Sequence, residues 1–182
     1  MQNPPVSPIL IFLVGARASG KTTVGRALAR RLGLPFGDTD AAVTSAAGKT
    51  VAAIVAAKGW PAFRQQESAA LRATVAKYPQ GAVIATGGGM VLAVENRRFM
   101  RERGVVFYLE ATAPLLVARL TCSPLASQRP SLTGKGVAAE MKQVLAHRAP
   151  LYLEAAHHRL DAALPLEHLC EAAAALLPPA AE

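Results

Sequence analysis

Between positions 15 and 23 the chain reads Gly15-Ala16-Arg17-Ala18-Ser19-Gly20-Lys21-Thr22-Thr23, which fits the pattern GxxxxGK[ST]. Such a loop does phosphate chemistry. Its glycines let the backbone turn back so that successive N–H groups point inward at phosphate oxygens, and a following helix adds the positive end of its dipole. The pattern assigns Gly15, Ala18, Ser19, Gly20, Lys21, Thr22 and Thr23 to the triphosphate of ATP, with Lys21 reaching the β- and γ-phosphates and the Thr22 hydroxyl available to Mg²⁺. An ordinary glycine-rich turn would account for the glycines but not for Lys and Thr at their places. The loop alone leaves the activity open, because switches, motors, ATPases and kinases share it. The pattern does not fix position 17, so a surface role and a charge-stabilising role for Arg17 both stand.

A second chemical cluster is Asp38-Thr39-Asp40. Read as the end of a short strand, it puts two carboxylates on one side of an extended segment, so that one can serve a metal and the other an acceptor hydroxyl. The same tripeptide also fits a helix N-cap at Asp40 before Ala41. Four histidines (His147, His157, His158 and His168) have no cysteine or carboxylate at ligand spacing and read as ordinary surface or helix residues rather than a zinc site. Cys122 and Cys170 read as small buried apolar side chains in a reducing compartment.

The elements that must position these groups follow from apolar spacing. Ile9 to Val14 is a short apolar run ended by Gly15, as expected of a strand buried on both faces. Val24, Ala27, Leu28 and Leu32 recur at helical steps before Gly33, so the loop opens a helix. A short strand near Phe36 follows, then helices over 41–47, 50–58 and 62–77, with a break at Gly48. Ala82 to Thr86 and Val105 to Leu109 read as further buried strands, separated by Gly87 to Gly89 and a charged helix near 95–103. Helices over 114–120, from about 137 to 157 and over 166–177, and a strand near Leu160, complete the chain. Strands alternating with helices imply an α/β class with a parallel sheet covered on both faces, because parallel neighbours need crossover connections.

The composition, 52% hydrophobic and 18% charged over 182 residues, is that of a globular chain, and the absence of repeats or long linkers implies one domain across 1–182. No run approaches the ~18 apolar residues of a membrane span. Met1 to Pro8 lacks the basic region of a signal peptide, so a cytoplasmic address is expected. The net charge of +8 fits either a polyanion or basic residues gathered at an anionic substrate. Arg17, Arg64, Arg129 and Arg148 fall in or beside motifs and no Lys/Arg run with interleaved aromatics occurs, so no nucleic-acid partner is expected.

Over nearly its whole length, and in the family's order, the chain resembles shikimate kinase. The resemblance runs through Ala62-Phe63-Arg64-Gln65-Gln66-Glu67, Ala85-Thr86-Gly87-Gly88-Gly89, Gln128-Arg129-Pro130-Ser131-Leu132-Thr133-Gly134 and His147-Arg148-Ala149-Pro150-Leu151-Tyr152. Gly59-Trp60-Pro61-Ala62-Phe63-Arg64 is most similar to the second enterobacterial isoform type. The family implies a P-loop, nucleoside-monophosphate-kinase-like three-layer fold with a five-stranded parallel sheet, a mobile lid over about 123–136, and a monomer. It implies Asp38 beside Thr22 near Mg²⁺, and Asp40, Arg64, Gly87, Gly88, Gly89 and Arg148 on shikimate. Lys21, Asp40 and the lid residue Arg129 are then catalytic, with Arg129 also on the nucleotide. Arg119 and the turn from Asp161 to Pro165 resemble the adenine-contacting regions. The chemistry agrees: a fork of arginines suits a carboxylate, and an aspartate suits ring hydroxyls. Glu67, one turn beyond Arg64, is placed to pair with it. Rival readings are a gluconate or nucleoside monophosphate kinase, and a nucleotide switch that binds a polyanion.

Overall fold

The computed structural model describes residues 9–122 and 136–179. Arg129 and nearly all of the expected lid lie outside the described residues. Five strands form one parallel sheet: β1 (Ile9–Val14), β2 (Phe36–Asp38), β3 (Gly81–Ala85), β4 (Val105–Glu110) and β5 (His158–Asp161), in the order β2-β3-β1-β4-β5. β1, the most apolar run of the sequence, is central, with Ile11 to Val14 wholly buried.

Among the described residues, seven α-helices connect and cover the strands: α1 (Lys21–Leu32), α2 (Thr39–Ala47), α3 (Val51–Lys77), α4 (Val94–Arg103), α5 (Ala113–Thr121), α6 (Val137–Ala155) and α7 (Leu166–Ala175). On one face, alternate strand residues such as Phe12, Ile84 and Tyr108 pack against Leu71 of α3, Met100 of α4, Leu116 of α5 and Tyr152 of α6. On the other, Leu13, Val83 and Phe107 pack against Leu28 of α1 and Leu169 of α7. The alternation of side chains along each strand thus builds the three layers. A separate small cluster of Val43, Ile54 and Phe63 joins α2 to the first half of α3.

Several boundaries differ from those expected, and two matter for the site. The helix after β2 begins at Thr39 with Asp38 as its N-cap, so the extended reading of Asp38-Thr39-Asp40 is replaced by a strand end and a first helical turn. The cap is Asp38 rather than Asp40: Asp38 Oδ1 accepts from the N–H groups of Asp40 and Ala41 at 3.0 and 3.2 Å, the usual reward for an aspartate at this place. The helices expected over 50–58 and 62–77 run on as α3 across a kink at Gly59, whose φ of 76° and ψ of 170° are non-helical. Pro61 has no N–H to give to a continuous helix, and a glycine two residues earlier accommodates the bend. Cys122 is exposed, contrary to the buried reading, whereas Cys170 is buried. Cys122 follows the last turn of α5, where the chain leaves the packed layer.

Candidate active site

The phosphate loop lies between the carboxyl end of β1 and α1, at the edge where open parallel sheets hold ligands. Its turn is built from left-handed backbone at Gly20 (φ 100°) and at Ala18 (φ 65°), the one non-glycine residue among those described with positive φ. At Gly15 a Cβ would come within 2.8 Å of the Leu109 carbonyl oxygen and 3.0 Å of Ser19 Oγ, so this position admits only glycine. Lys21 Nζ donates to the carbonyls of Gly15 and Ala16 at 2.9 and 2.8 Å, which holds the ammonium over the loop. Arg119 braces the outside: it donates to Ser19 O at 3.2 Å and to Ala162 O at 2.8 Å. One side chain thereby ties the loop to the turn after β5. A cavity of about 430 Å³ opens there, lined by Arg119, Ala162, Leu164 and Leu166, which brings together the two regions expected at the adenine.

Thr22, on the first turn of α1, donates through Oγ1 to Asp38 Oδ2 at 2.9 Å. With Oδ1 occupied by the cap of α2, each Asp38 oxygen has a task, and the carboxylate is fixed beside the loop. Thr22, Asp38, Lys21, Asp40 and Arg17 line a cavity of about 810 Å³, large enough for a polyphosphate and its hydration.

A second, smaller cavity is lined by Asp40, Arg64, Glu67, Gly88, Gly89 and Arg148. Its parts come from four elements. Asp40 stands on the first turn of α2, Arg64 and Glu67 on α3 beyond the kink, Arg148 on α6, and the glycines follow β3. Glu67 is 2% exposed and ion-paired with Arg64. Burial pushes its carboxyl up, the Arg64 guanidinium opposes this, and Asp40 nearby pushes it further up. The Arg64 guanidinium also lies over Trp60 and Phe63, 4.9 and 5.4 Å from their ring centroids, an attraction to the aromatic faces. It is therefore held from two directions. The glycine loop is crowded on all sides: a Cβ at Gly87 would meet Asp40 Oδ1 at 2.5 Å and Glu67 Oε1 at 2.6 Å, and one at Gly89 would overlap the Arg64 guanidinium. The loop is tied to the first residue of α2 through the bond from Gly87 N to Thr39 Oγ1, 3.0 Å.

Arg17 and Asp40 line both cavities, so the arginine-bearing pocket adjoins the phosphate loop. A sequence model described as "SKI: Shikimate kinase" matches residues 17–175. The chain belongs to the shikimate kinase family. Among its relatives, a shikimate kinase of Nitratidesulfovibrio vulgaris is 53% identical over 167 residues, 92% of this chain and 94% of the relative. A shikimate kinase 2 of Sodalis glossinidius is 54% identical over 172 residues, 94% of this chain and 97% of the relative. A solved structure of shikimate kinase from Acinetobacter baumannii in complex with shikimate superposes with a TM-score of 0.85 at 32% identity, covering 92% of each chain. The expected fold and the expected likeness to the second isoform type are both met.

Most of the groups that converge in this shikimate kinase family member are legible in its sequence, and some are not. Trp60, Val51, Met141 and Val144 form apolar walls of the smaller cavity. Tyr152, wholly buried, donates to the Gly88 carbonyl at 2.6 Å, beside the Arg148 Nη1 bond to the same oxygen at 3.1 Å. The available signal was spacing: Met141, Val144, Arg148 and Tyr152 are three and four residues apart, which places them on one stripe of α6.

Proposed function

We propose that the chain transfers the γ-phosphoryl group of ATP to the 3-hydroxyl of shikimate, giving shikimate 3-phosphate and ADP in aromatic amino-acid biosynthesis. The observation that carries this reading is the sharing of Arg17 and Asp40 between the phosphate cavity and the arginine-lined cavity. An acceptor held in the second is within reach of a phosphate held in the first.

In this mechanism the loop amides and Lys21 hold the β- and γ-phosphates, and Arg64 with Arg148 grips the acceptor carboxylate through charge-assisted bonds. The backbone at Gly87 to Gly89 closes on the ring. Asp40 orients the 3-hydroxyl and accepts its proton as the hydroxyl oxygen bonds to phosphorus and the bridging oxygen leaves with ADP. Mg²⁺ fits Thr22 and Asp38, a hydroxyl and a carboxylate whose oxygens are 2.9 Å apart at the edge of a roomy polar cavity, the hard-oxygen donor set the ion takes while keeping several waters. Bound there, it neutralises charge on the phosphates. Arg129, in the segment expected as the lid, is assigned to the transferring phosphoryl group. Positioning and electrostatics account for the catalysis. A cytoplasmic monomer with no nucleic-acid or membrane partner accompanies this reading.

The test is an ADP-release assay over shikimate, gluconate and nucleoside monophosphates, with and without Mg²⁺. Turnover confined to shikimate and dependent on Mg²⁺ is expected. Phosphorylation of gluconate or a nucleotide without shikimate turnover would overturn the reading, and so would tight, salt-sensitive nucleic-acid binding without kinase activity.

A further inference from the structure

At the Gly88 carbonyl two side chains of α6 bond to the glycine loop at once. Tyr152 Oη donates to it at 2.6 Å and Arg148 Nη1 at 3.1 Å. A carbonyl oxygen has two lone pairs, so both are engaged and the peptide plane cannot rotate without breaking both bonds. In a trans peptide the N–H points opposite to the C=O. Clamping the Gly88 carbonyl against α6 therefore also fixes the direction of the Gly89 N–H, in a peptide whose two residues line the acceptor cavity.

The phenol is itself enclosed by packing. Tyr152 has no exposed surface, and its ring stacks on Tyr108 of β4 with centroids 5.1 Å apart. Burial pushes its hydroxyl up to about 12, against the opposing charge of Arg148, so it stays a proton donor across any working pH. Arg148, by contrast, is only half-buried and has a long, flexible stem, so an anchored neighbour on the same oxygen limits where its guanidinium settles. The central strand layer thus reaches the site through Tyr108, Tyr152 and Gly88.

We propose that Tyr152 is a positioning residue for the acceptor: its O–H sets the orientation of the Gly88–Gly89 peptide and of Arg148, and through them the affinity for the carboxylate-bearing substrate. This rests on the functional reading above and adds to it a residue that does not face the reacting atoms. The Tyr152→Phe variant keeps the ring, the stack and the volume and removes only the donor. Losing one such hydrogen bond corresponds to roughly a 3- to 10-fold effect.

The expected result is that Tyr152→Phe raises KM for shikimate by about 3- to 10-fold, with kcat and KM for ATP within about twofold of the parent. Shikimate affinity read directly from Trp60 fluorescence should weaken by the same factor. In an Arg148→Lys background the further change should shrink, because both residues act on one oxygen. An unaltered shikimate KM would overturn the proposal. A parallel loss in kcat and ATP KM that tracks a lowered Tm would also overturn it, since that is the signature of a merely structural role. Failure of the parent protein itself to turn over shikimate overturns the functional reading as well, and so is distinct from failure of the variant to differ.

Discussion

In the proposed reaction Arg64 serves both fold and chemistry. Its guanidinium is paired with the buried Glu67 and stacked on Trp60, while the same group lines the smaller cavity, the proposed acceptor pocket. Removing it in Arg64→Ala takes away a charge-assisted contact of about 1.5–3 kcal/mol, a roughly 10- to 100-fold loss in kcat/KM for shikimate. It also strands a carboxylate that is 2% exposed. Breaking such a pair costs about 3 kcal/mol, the low end of the usual range because Arg64 is partly exposed, or a fall of about 6–12 °C in Tm. Glu67 then binds its proton more tightly still. For a carboxyl raised in the folded state the sign is clear: the folded protein holds a proton the unfolded chain has released, so stability is greatest below pH 4.5 and falls as pH rises toward the folded value. The variant should therefore melt higher at pH 5 than at pH 8, relative to the parent. Adding Glu67→Gln should restore most of the Tm at neutral pH and none of the lost kcat/KM, a split that scanning calorimetry and steady-state kinetics would read. Recovery of both together would place Arg64 in the fold alone.

At the scale of elements, the junctions carry the chemistry, and they were the hardest part to read. Strands β1, β3 and β4 announce themselves as buried apolar runs, and the loop pattern fixes where α1 starts. The tripeptide Asp38-Thr39-Asp40 was open to two readings because an aspartate at a strand end and one at a helix cap look alike until the next turn is paired. The structure makes Asp38 both at once. Tyr152 was illegible for another reason: its partner Gly88 is 64 positions away, and only the crossing of α6 over the loop joins them. Another junction, between α6 and β5, is closed by His157, whose ring Nδ1 accepts from the Val106 N–H at 3.0 Å while its backbone N–H donates to Val106 O at 2.8 Å. This bond needs a neutral ring with its proton on Nε2. Burial, then the charges of Arg101 and His158, lower its pKa. A histidine depressed in the folded state contributes stability above its unfolded value near 6.5 and loses it as pH falls through the folded value. The drop in Tm between pH 7.5 and pH 5.5 should shrink in His157→Asn, because the Asn Oδ1 accepts the same N–H without titrating. Equal drops in parent and variant would remove His157 from the pH response.

Taken whole, the molecule is a layered sheet with two adjoining cavities at one edge, lined by side chains from elements packed on different layers. Arg119 ties α5 to the phosphate loop and the turn after β5, Thr22 ties α1 to Asp38 at the end of β2, and Arg148 ties α6 to the loop after β3. Each tie is a hydrogen bond between parts that unfolding separates, so a ligand that spans them binds the folded chain and not the unfolded one. Such a ligand stabilises by RT ln(1 + [L]/Kd), about 2.7 kcal/mol at a hundredfold excess over Kd, which for a chain of 182 residues means a rise in Tm of about 5–11 °C. ATP with Mg²⁺ and shikimate should each give a shift of this size at that excess. Their proposed sites adjoin at Arg17 and Asp40, so the combined shift for ADP with Mg²⁺ and shikimate reports whether occupying one orders the other. If Asp40 and Arg17 are organised by either ligand, the second meets a site already formed, and the joint shift should exceed the sum of the two. The Asp40→Asn variant, which keeps the shape and removes the charge at the junction, should bring the joint shift back toward additivity. A joint shift equal to the sum in both proteins would mean that the two cavities are neighbours without communicating.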